Sequence, residues 1–221
     1  MKALVLLSGG QDSSTCLFWS LKNAEYTEAV FFKYGQRHMV EWECAQVLCR
    51  EAGVPLHVLN VPAFQEIGGT AMIEEIAIKM TQTGVPNTFV PGRNIVFLAL
   101  AASLAYRRTL DTLVVGVNEE DYSGYPDCRE QFIIAMEKAL QEGLNYHLTI
   151  KAPLQHLSKK SIWALADELN VMDTIIEKTH TCYKGDHVTR HPWGYGCGTC
   201  PACLLRKIGF EAYQEERHEN S

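Results

Sequence analysis

The segment Lys2-Ala3-Leu4-Val5-Leu6-Leu7-Ser8-Gly9-Gly10-Gln11-Asp12-Ser13-Ser14 decides the fold. Residues 2–7 make the continuous apolar run of a strand buried on both faces of a parallel sheet, and residues 13–22 carry the pattern of the helix that follows. Between them, two adjacent glycines let the backbone close on an anion, with the Ser8, Ser13 and Ser14 hydroxyls beside the amides of a helix start. A Walker-type loop would end in a lysine, and this segment has neither that spacing nor a basic residue. Asp12 suits an anion site only with magnesium, which takes carboxylate and phosphate oxygens together. On local chemistry alone, a plain strand-to-helix turn capped by Asp12 and Ser13 accounts for the same residues.

Working outward, residues 28–33 and 56–60 read as strands around a helix over 37–52, which Gly53 stops. Residues 61–87 are poorly patterned and predict a loop or lid with short structure inside it. A helix over 94–107, a strand over 112–117, an irregular stretch over 118–127, a helix over 129–142 and a strand over 148–151 come next. A helix opened by Ser158 and a cysteine-rich tail ending in a helix over 202–216 complete the chain. This alternation predicts an α/β fold, a parallel five-stranded sheet with helices on both faces, whose ligands bind beyond the carboxyl ends of the strands. Segments 8–14, 33–38 and 118–127 all follow strands and converge on one expected crevice.

The 221 residues suffice for a main domain and a small appendage, divided here as 1–175 and 176–221. With 47% hydrophobic and 21% charged residues, no apolar run long enough to span a bilayer and no leader-like start, a cytoplasmic protein is expected. A net charge of -6 argues against a phosphate-backbone binder, so small-molecule chemistry is expected, without nucleic acid or membrane. Eight cysteines do not imply a disulfide scaffold in a chain of this size, and their spacing matters more than their number.

Ser-Gly-Gly-x-Asp-Ser after the first strand resembles the pyrophosphate loop of the N-type ATP pyrophosphatases, which adenylate an oxygen, release pyrophosphate and let a nucleophile displace AMP. Four further motifs narrow the resemblance: Tyr34-Gly35-Gln36-Arg37-His38, Asn87-Thr88-Phe89-Val90-Pro91-Gly92-Arg93-Asn94, Ser123-Gly124-Tyr125-Pro126-Asp127-Cys128-Arg129 and Trp163-Ala164-Leu165-Ala166-Asp167. With Cys197-Gly198-Thr199-Cys200-Pro201-Ala202-Cys203, they resemble the 7-cyano-7-deazaguanine synthase family of the queuosine pathway over nearly the whole chain. The resemblance implies an adenine nucleotide alpha hydrolase-like fold. It also implies a ligase that turns 7-carboxy-7-deazaguanine, ATP and ammonia into a nitrile, with magnesium accompanying ATP, and a homodimer. Free ammonia is the simplest donor, since this length leaves no room for a glutaminase domain.

Cys197, Cys200 and Cys203 place three thiols within a few residues, and a tetrahedral structural zinc site needs one more ligand. Cys182 is the natural fourth and is supported by the resemblance, with His187 and His191 as imidazole alternatives in a long loop over 183–196. Cys16, Cys44 and Cys49 read as core packing, while Cys128 sits in a site motif without an evident base partner.

The resemblance implies that Leu7, Ser8, Gly9, Gly10, Gln11, Asp12, Ser13, Ser14, Thr15, Cys16 and Leu17 form the ATP-binding segment. Adenylation needs cations where charge builds on the α-phosphate; Arg93, after a Pro-Gly turn at a helix start, is one expected beside Asp12, and the resemblance implies Lys159 as the other, while the residues alone leave Lys159 and Lys160 even. A guanine-like base offers N–H donors best met by carboxylates, which points to Glu119, Glu120, Asp121 and Asp127, with Tyr122 or Tyr125 to stack; Arg37 and His38 are further crevice candidates, with Arg37 as a plain helix start the alternative. Two other readings exist: a tRNA-thiolating or lysidine-forming relative, disfavoured by the acidic charge, and a zinc-ribbon interaction module on a silent sheet, which the intact loop does not support.

Overall fold

The computed structural model describes residues 1–82, 84–119 and 125–219. The chain begins β1 (Lys2–Leu6), α1 (Gln11–Asn23), β2 (Tyr26–Lys33), α2 (Val40–Ala52), β3 (Leu56–Asn60) and α3 (Ala63–Ile67). It continues through α4 (Arg93–Arg108), β4 (Thr112–Val114), a 3₁₀ turn (Pro126–Cys128), α5 (Glu130–Leu144) and β5 (Thr149–Lys151). The tail comprises α6 (Lys159–Glu168), α7 (Met172–Lys178), a hairpin of β6 (Arg190–His191) and β7 (Gly194–Tyr195), and α8 (Pro201–Glu219).

Among the described residues the main sheet has five strands in the order β3-β2-β1-β4-β5, every neighbouring pair parallel. β1 is central, so Ala3, Leu4 and Val5 are fully buried. Alternation sends them to opposite sides. Leu4 joins Val30, Leu113 and Ile150 against α4 and α5, whereas Ala3 and Val5 join Ala29, Phe31 and Val114 against α1, α2 and α6. Cys16 and Cys49 belong to that second core, and Cys44 is buried on α2. A third cluster packs Trp163 and Ala166 of α6 with Ile175, Trp193, Cys182, Cys200 and Cys203, so the tail is seated on α6. No helix among the described residues is long and apolar enough to cross a membrane.

Three expectations need correction. The helix expected from residue 37 starts at Val40, because Gly35 takes φ 90° and the Gln36 side chain folds back on the end of β2. There Gln36 accepts from the Tyr34 amide at 2.9 Å and donates to the Phe32 carbonyl at 3.2 Å. The fourth strand is paired only over 112–114, since beyond Val115 the chain must pass the start of α1. A Cβ on Gly116 would lie 2.9 Å from the Ser13 amide nitrogen. Finally, α7 and the β6–β7 hairpin form where no separate element was expected, while α3 is short structure of the kind expected inside 61–87.

Candidate active site

Strand order reverses between β1 and β4, and the loops leaving their carboxyl ends open the crevice where such sheets bind ligands. The loop after β1 is braced by its own serines. Ser8 Oγ lies 2.9 Å from Ser13 Oγ, the Ser8 amide donates to Ser13 Oγ at 3.1 Å, and the Gly10 amide donates to Ser8 Oγ at 3.2 Å. Gly10 occupies the N-cap of α1 and no side chain caps that end, so the first amides of α1 remain available to an anion. The capping role considered for Asp12 and Ser13 is therefore not the one they fill.

Gly9 takes φ 88°, and a Cβ there would sit 2.1 Å from the Glu41 carbonyl oxygen. The tail also reaches this loop, the His180 amide donating to the Gly9 carbonyl at 3.0 Å.

Above the loop is a cavity of about 320 Å³, in the lower range of small-molecule sites. Leu7, Ser8, Gly10, Gln11, Asp12 and Ser13 line one end, and Thr88, Asn94, Tyr125 and Cys128 the other. Arg93, Tyr34, Glu41, Lys159 and Arg206 also line it. Ser14, Thr15, Cys16 and Leu17 lie behind the wall: Thr15 donates to the Gln11 carbonyl at 2.9 Å, and burial pushes the Cys16 thiol well up.

Asp12 and Lys159 meet, with Nζ donating to Oδ2 at 2.7 Å. The other carboxylate oxygen, Asp12 Oδ1, is buried without a partner among the described residues, as is Gln11 Nε2. An orphaned carboxylate oxygen beside uncapped helix amides fits a divalent cation carried in with a polyphosphate. Arg93 opens α4, with its guanidinium 5.9 Å from the Tyr34 ring centroid. Burial opposes the Arg93 charge, but Tyr34, Asp127 and Tyr125 outweigh it and hold the group above its ordinary range.

At the far end, the Tyr125 hydroxyl is 2.5 Å from Thr88 Oγ1, and its ring stacks on Phe89 at 5.4 Å. The Asp127 carboxylate accepts from the Asn94 amide at 3.2 Å, which places it at the start of α4 behind the cavity wall, and burial raises its pKa. Glu119 also lies outside that wall, accepting from the Glu130 amide at 2.6 Å. Arg37 pairs with Glu75 at 3.8 Å. Glu120, Asp121 and Tyr122 lie outside the described residues.

Cys182, Cys197, Cys200 and Cys203 bring their sulfurs within 4.8 Å of one another. The Cys200 thiol, then the Cys203 thiol, hydrogen-bond to Cys182 and pull its pKa below the ordinary range. Four converging thiols fit a closed tetrahedral metal site. Neither histidine alternative joins them: His187 Nδ1 meets His180 Nδ1 at 3.2 Å, and His191 Nε2 meets the Gly196 carbonyl oxygen at 2.9 Å.

Sequence reasoning missed Glu41 and Arg206. A first-turn acid ordinarily reads as a helix-dipole partner. Arg206 is 1% exposed, donates to the Trp193 and Ile175 carbonyls and to the Thr179 and Thr181 hydroxyls, and burial lowers it to about 10.

A parallel sheet with this switch point, an uncapped glycine loop and a converging Asp12–Lys159 pair define the PP-loop class of ATP-binding α/β proteins. Solved structures share the fold. A 4-thiouridine synthetase in an RNA complex with bound ATP superposes with a TM-score of 0.52 at 19% identity, covering 96% of this chain and 53% of that one. A predicted tRNA methyltransferase subunit from Methanocaldococcus jannaschii gives 0.51 at 20% identity, covering 76% and 75%. The model of the queuosine biosynthesis protein QueC family matches residues 2–214, and the chain belongs to that family. It is 49% identical to the 7-cyano-7-deazaguanine synthase of Bordetella avium, covering 97% of this chain and 93% of the relative. It is 48% identical to the one from Acidovorax sp. strain JS42, covering 99% and 96%.

Proposed function

We propose that this chain is the ATP-dependent ligase that converts 7-carboxy-7-deazaguanine and ammonia into 7-cyano-7-deazaguanine by adenylating first the acid and then the amide. The observation that carries the reading is the meeting of Asp12 and Lys159 over the uncapped glycine loop, with Arg93 on the same cavity, in a chain of this family. The α1 amides and the segment from Leu7 to Ser13 hold the pyrophosphate end of ATP, backed by Ser14, Thr15, Cys16 and Leu17. Lys159 and Arg93 stabilise charge on the α-phosphate as pyrophosphate leaves. Asp12 Oδ1 would hold magnesium, which neutralises phosphate charge when bound.

The base lies toward Thr88, Asn94 and Tyr125, with Tyr125 stacking and Asp121 as the carboxylate acceptor; Asp127 fixes the start of α4 that carries Arg93. Arg37 and Glu119, away from the main cavity, act at its approaches. Residues 1–175 form the ATP-binding unit and 176–221 the metal module, where Cys182, Cys197, Cys200 and Cys203 hold structural zinc. The enzyme works in the cytoplasm as a homodimer.

ATP–pyrophosphate exchange that depends on the deazapurine acid tests the reading. Exchange with 7-carboxy-7-deazaguanine, and none without it, is expected. Exchange that ignores the acid would sink the proposal.

A further inference from the structure

A second, smaller cavity opens beside the main one. It measures about 30 Å³, room for about two water-sized molecules, and its walls include Arg37, His38, Met72, His180, Cys182 and Tyr183, with the Arg37 guanidinium paired to Glu75 at 3.8 Å. Glu41 lines both cavities and so stands at their junction. Its carboxylate makes no hydrogen bond within the described residues, and Oε1 points toward the glycine loop, 3.7 Å from where a Cβ on Gly10 would lie. His38 lines the small cavity too, and its Nε2 is buried and likewise lacks a hydrogen-bond partner among the described residues. Two polar groups without partners facing a space this small call for a small polar occupant. A carboxylate among them favours a cation.

We propose that the small cavity is the ammonium site and that Glu41 holds the cation and accepts a proton from it. The proposal rests on the ligase reading above, which needs a nitrogen nucleophile delivered to a carbonyl activated near Arg93. Glu41 takes one proton from ammonium, and the freed lone pair forms the N–C bond to the acyl-adenylate. The C–O bond to AMP then breaks, AMP leaves with the electron pair, and the second N–H proton goes to solvent. Burial raises Glu41 to about 7 against the opposing pull of Arg93, which suits a group that must both accept and release a proton near neutrality. The charged and titratable groups around it are Arg93 from α4, Tyr34 after β2, Cys44 on its own helix, Arg37, His38, His180, Cys182 and Tyr183 at the small cavity, and Asp12, Lys159 and Arg206 at the main one.

The test compares wild-type enzyme with Glu41→Gln in three assays: acid-dependent ATP–pyrophosphate exchange without ammonium, amination with ammonium chloride, and hydroxamate formation with hydroxylamine, which needs no deprotonation at neutral pH. Exchange should stay within about twofold, and KM for ammonium should rise roughly ten- to hundredfold, as for a lost charge-assisted hydrogen bond. Hydroxamate should form at close to the wild-type rate. His38→Ala should raise the ammonium KM in the same direction, by about tenfold, as for one lost hydrogen bond to a charged group. Amination by Glu41→Gln with the wild-type KM and kcat would overturn the proposal. Loss of exchange in Glu41→Gln would overturn it too, by assigning Glu41 to the ATP end. If the wild type itself shows no acid-dependent exchange, the ligase reading fails and the ammonium site goes with it.

Discussion

Lys159 Nζ lies 2.7 Å from Asp12 Oδ2, joining the first residue of α6 to the first turn of α1 across 147 positions of sequence. Both side chains are largely covered, at 18% and 22% exposure, and both face the cavity. In a pair so covered the cost of taking both charges out of water offsets most of their attraction, so its value is in the site. Asp12→Ala should therefore abolish turnover with the fold kept, and Lys159→Met should lower kcat by about 10²–10³-fold. Pyrophosphate release and thermal melts check both. An Asp12→Ala enzyme that loses about 1 kcal/mol yet keeps near-normal kcat would make Asp12 a helix cap instead.

The two loop glycines should separate on substitution. Gly9→Ala puts a methyl 2.1 Å from the Glu41 carbonyl oxygen in a left-handed backbone, and should destabilise by about 1–3 kcal/mol or more. Gly10 has φ -80°, and the nearest atom to its Cβ position, Ser8 Oγ, is 3.3 Å away. Gly10→Ala should fold and melt near wild type while losing ATP affinity, because the methyl stands where the anion must approach. Denaturation curves beside nucleotide titrations distinguish the two, and equal melting losses in both variants would contradict this account of the loop.

The cysteine cluster should act on catalysis through α8 and α6. A Cβ on Gly209 of α8 would lie 2.6 Å from Lys159 Cβ, and the Trp163 indole donates to the Arg206 carbonyl at 3.2 Å. The tail thus sets the position of the helix that starts at Lys159. Cys200→Ser should lose bound metal and thermal stability together, since a structural metal's binding energy is folding energy. Metal analysis with calorimetry reads this directly, and full retention of the metal would remove Cys200 from the site.

What the sequence made legible was the part built from strong local signals. The apolar run of β1, the glycines after it and the thiol spacing each carry their own physics, so the central strand, the glycine turn into α1 and the cysteine cluster could be located before the fold was known. Short elements escaped. α7 holds 7 residues, too short for periodicity, and Ile175 owes its place to packing under the tail rather than to propensity. Charged residues were the other difficulty. Glu41 and Arg206 line the cavity while Arg37 and Glu119 do not, and nothing local distinguishes them, because burial is decided by residues far along the chain.

Acid should weaken the fold through Glu28. It is buried on β2, bonded to Arg108 at 2.7 Å and to His57 at 2.6 Å, and the Arg108 guanidinium lowers its pKa from 4.5 to about 2. A carboxyl depressed in the folded state stabilises above its unfolded pKa, and that contribution is lost as pH falls through the folded value. Melting temperature should accordingly drop between about pH 4.5 and 2. Glu28→Gln should remove that part of the slope and cost about 1–3 kcal/mol at neutral pH. An unchanged acid slope in Glu28→Gln would assign it to other carboxylates.

The central claim is that one crevice adenylates twice, because acid and amide present an oxygen at the same place beside Asp12, Arg93 and Lys159. Counting ATP consumed per nitrile formed tests this most directly, starting in turn from the acid with ammonia and from the synthetic amide without it. Two ATP per nitrile from the acid and one from the amide is the predicted result. An amide that fails to react while the acid turns over normally would contradict the account.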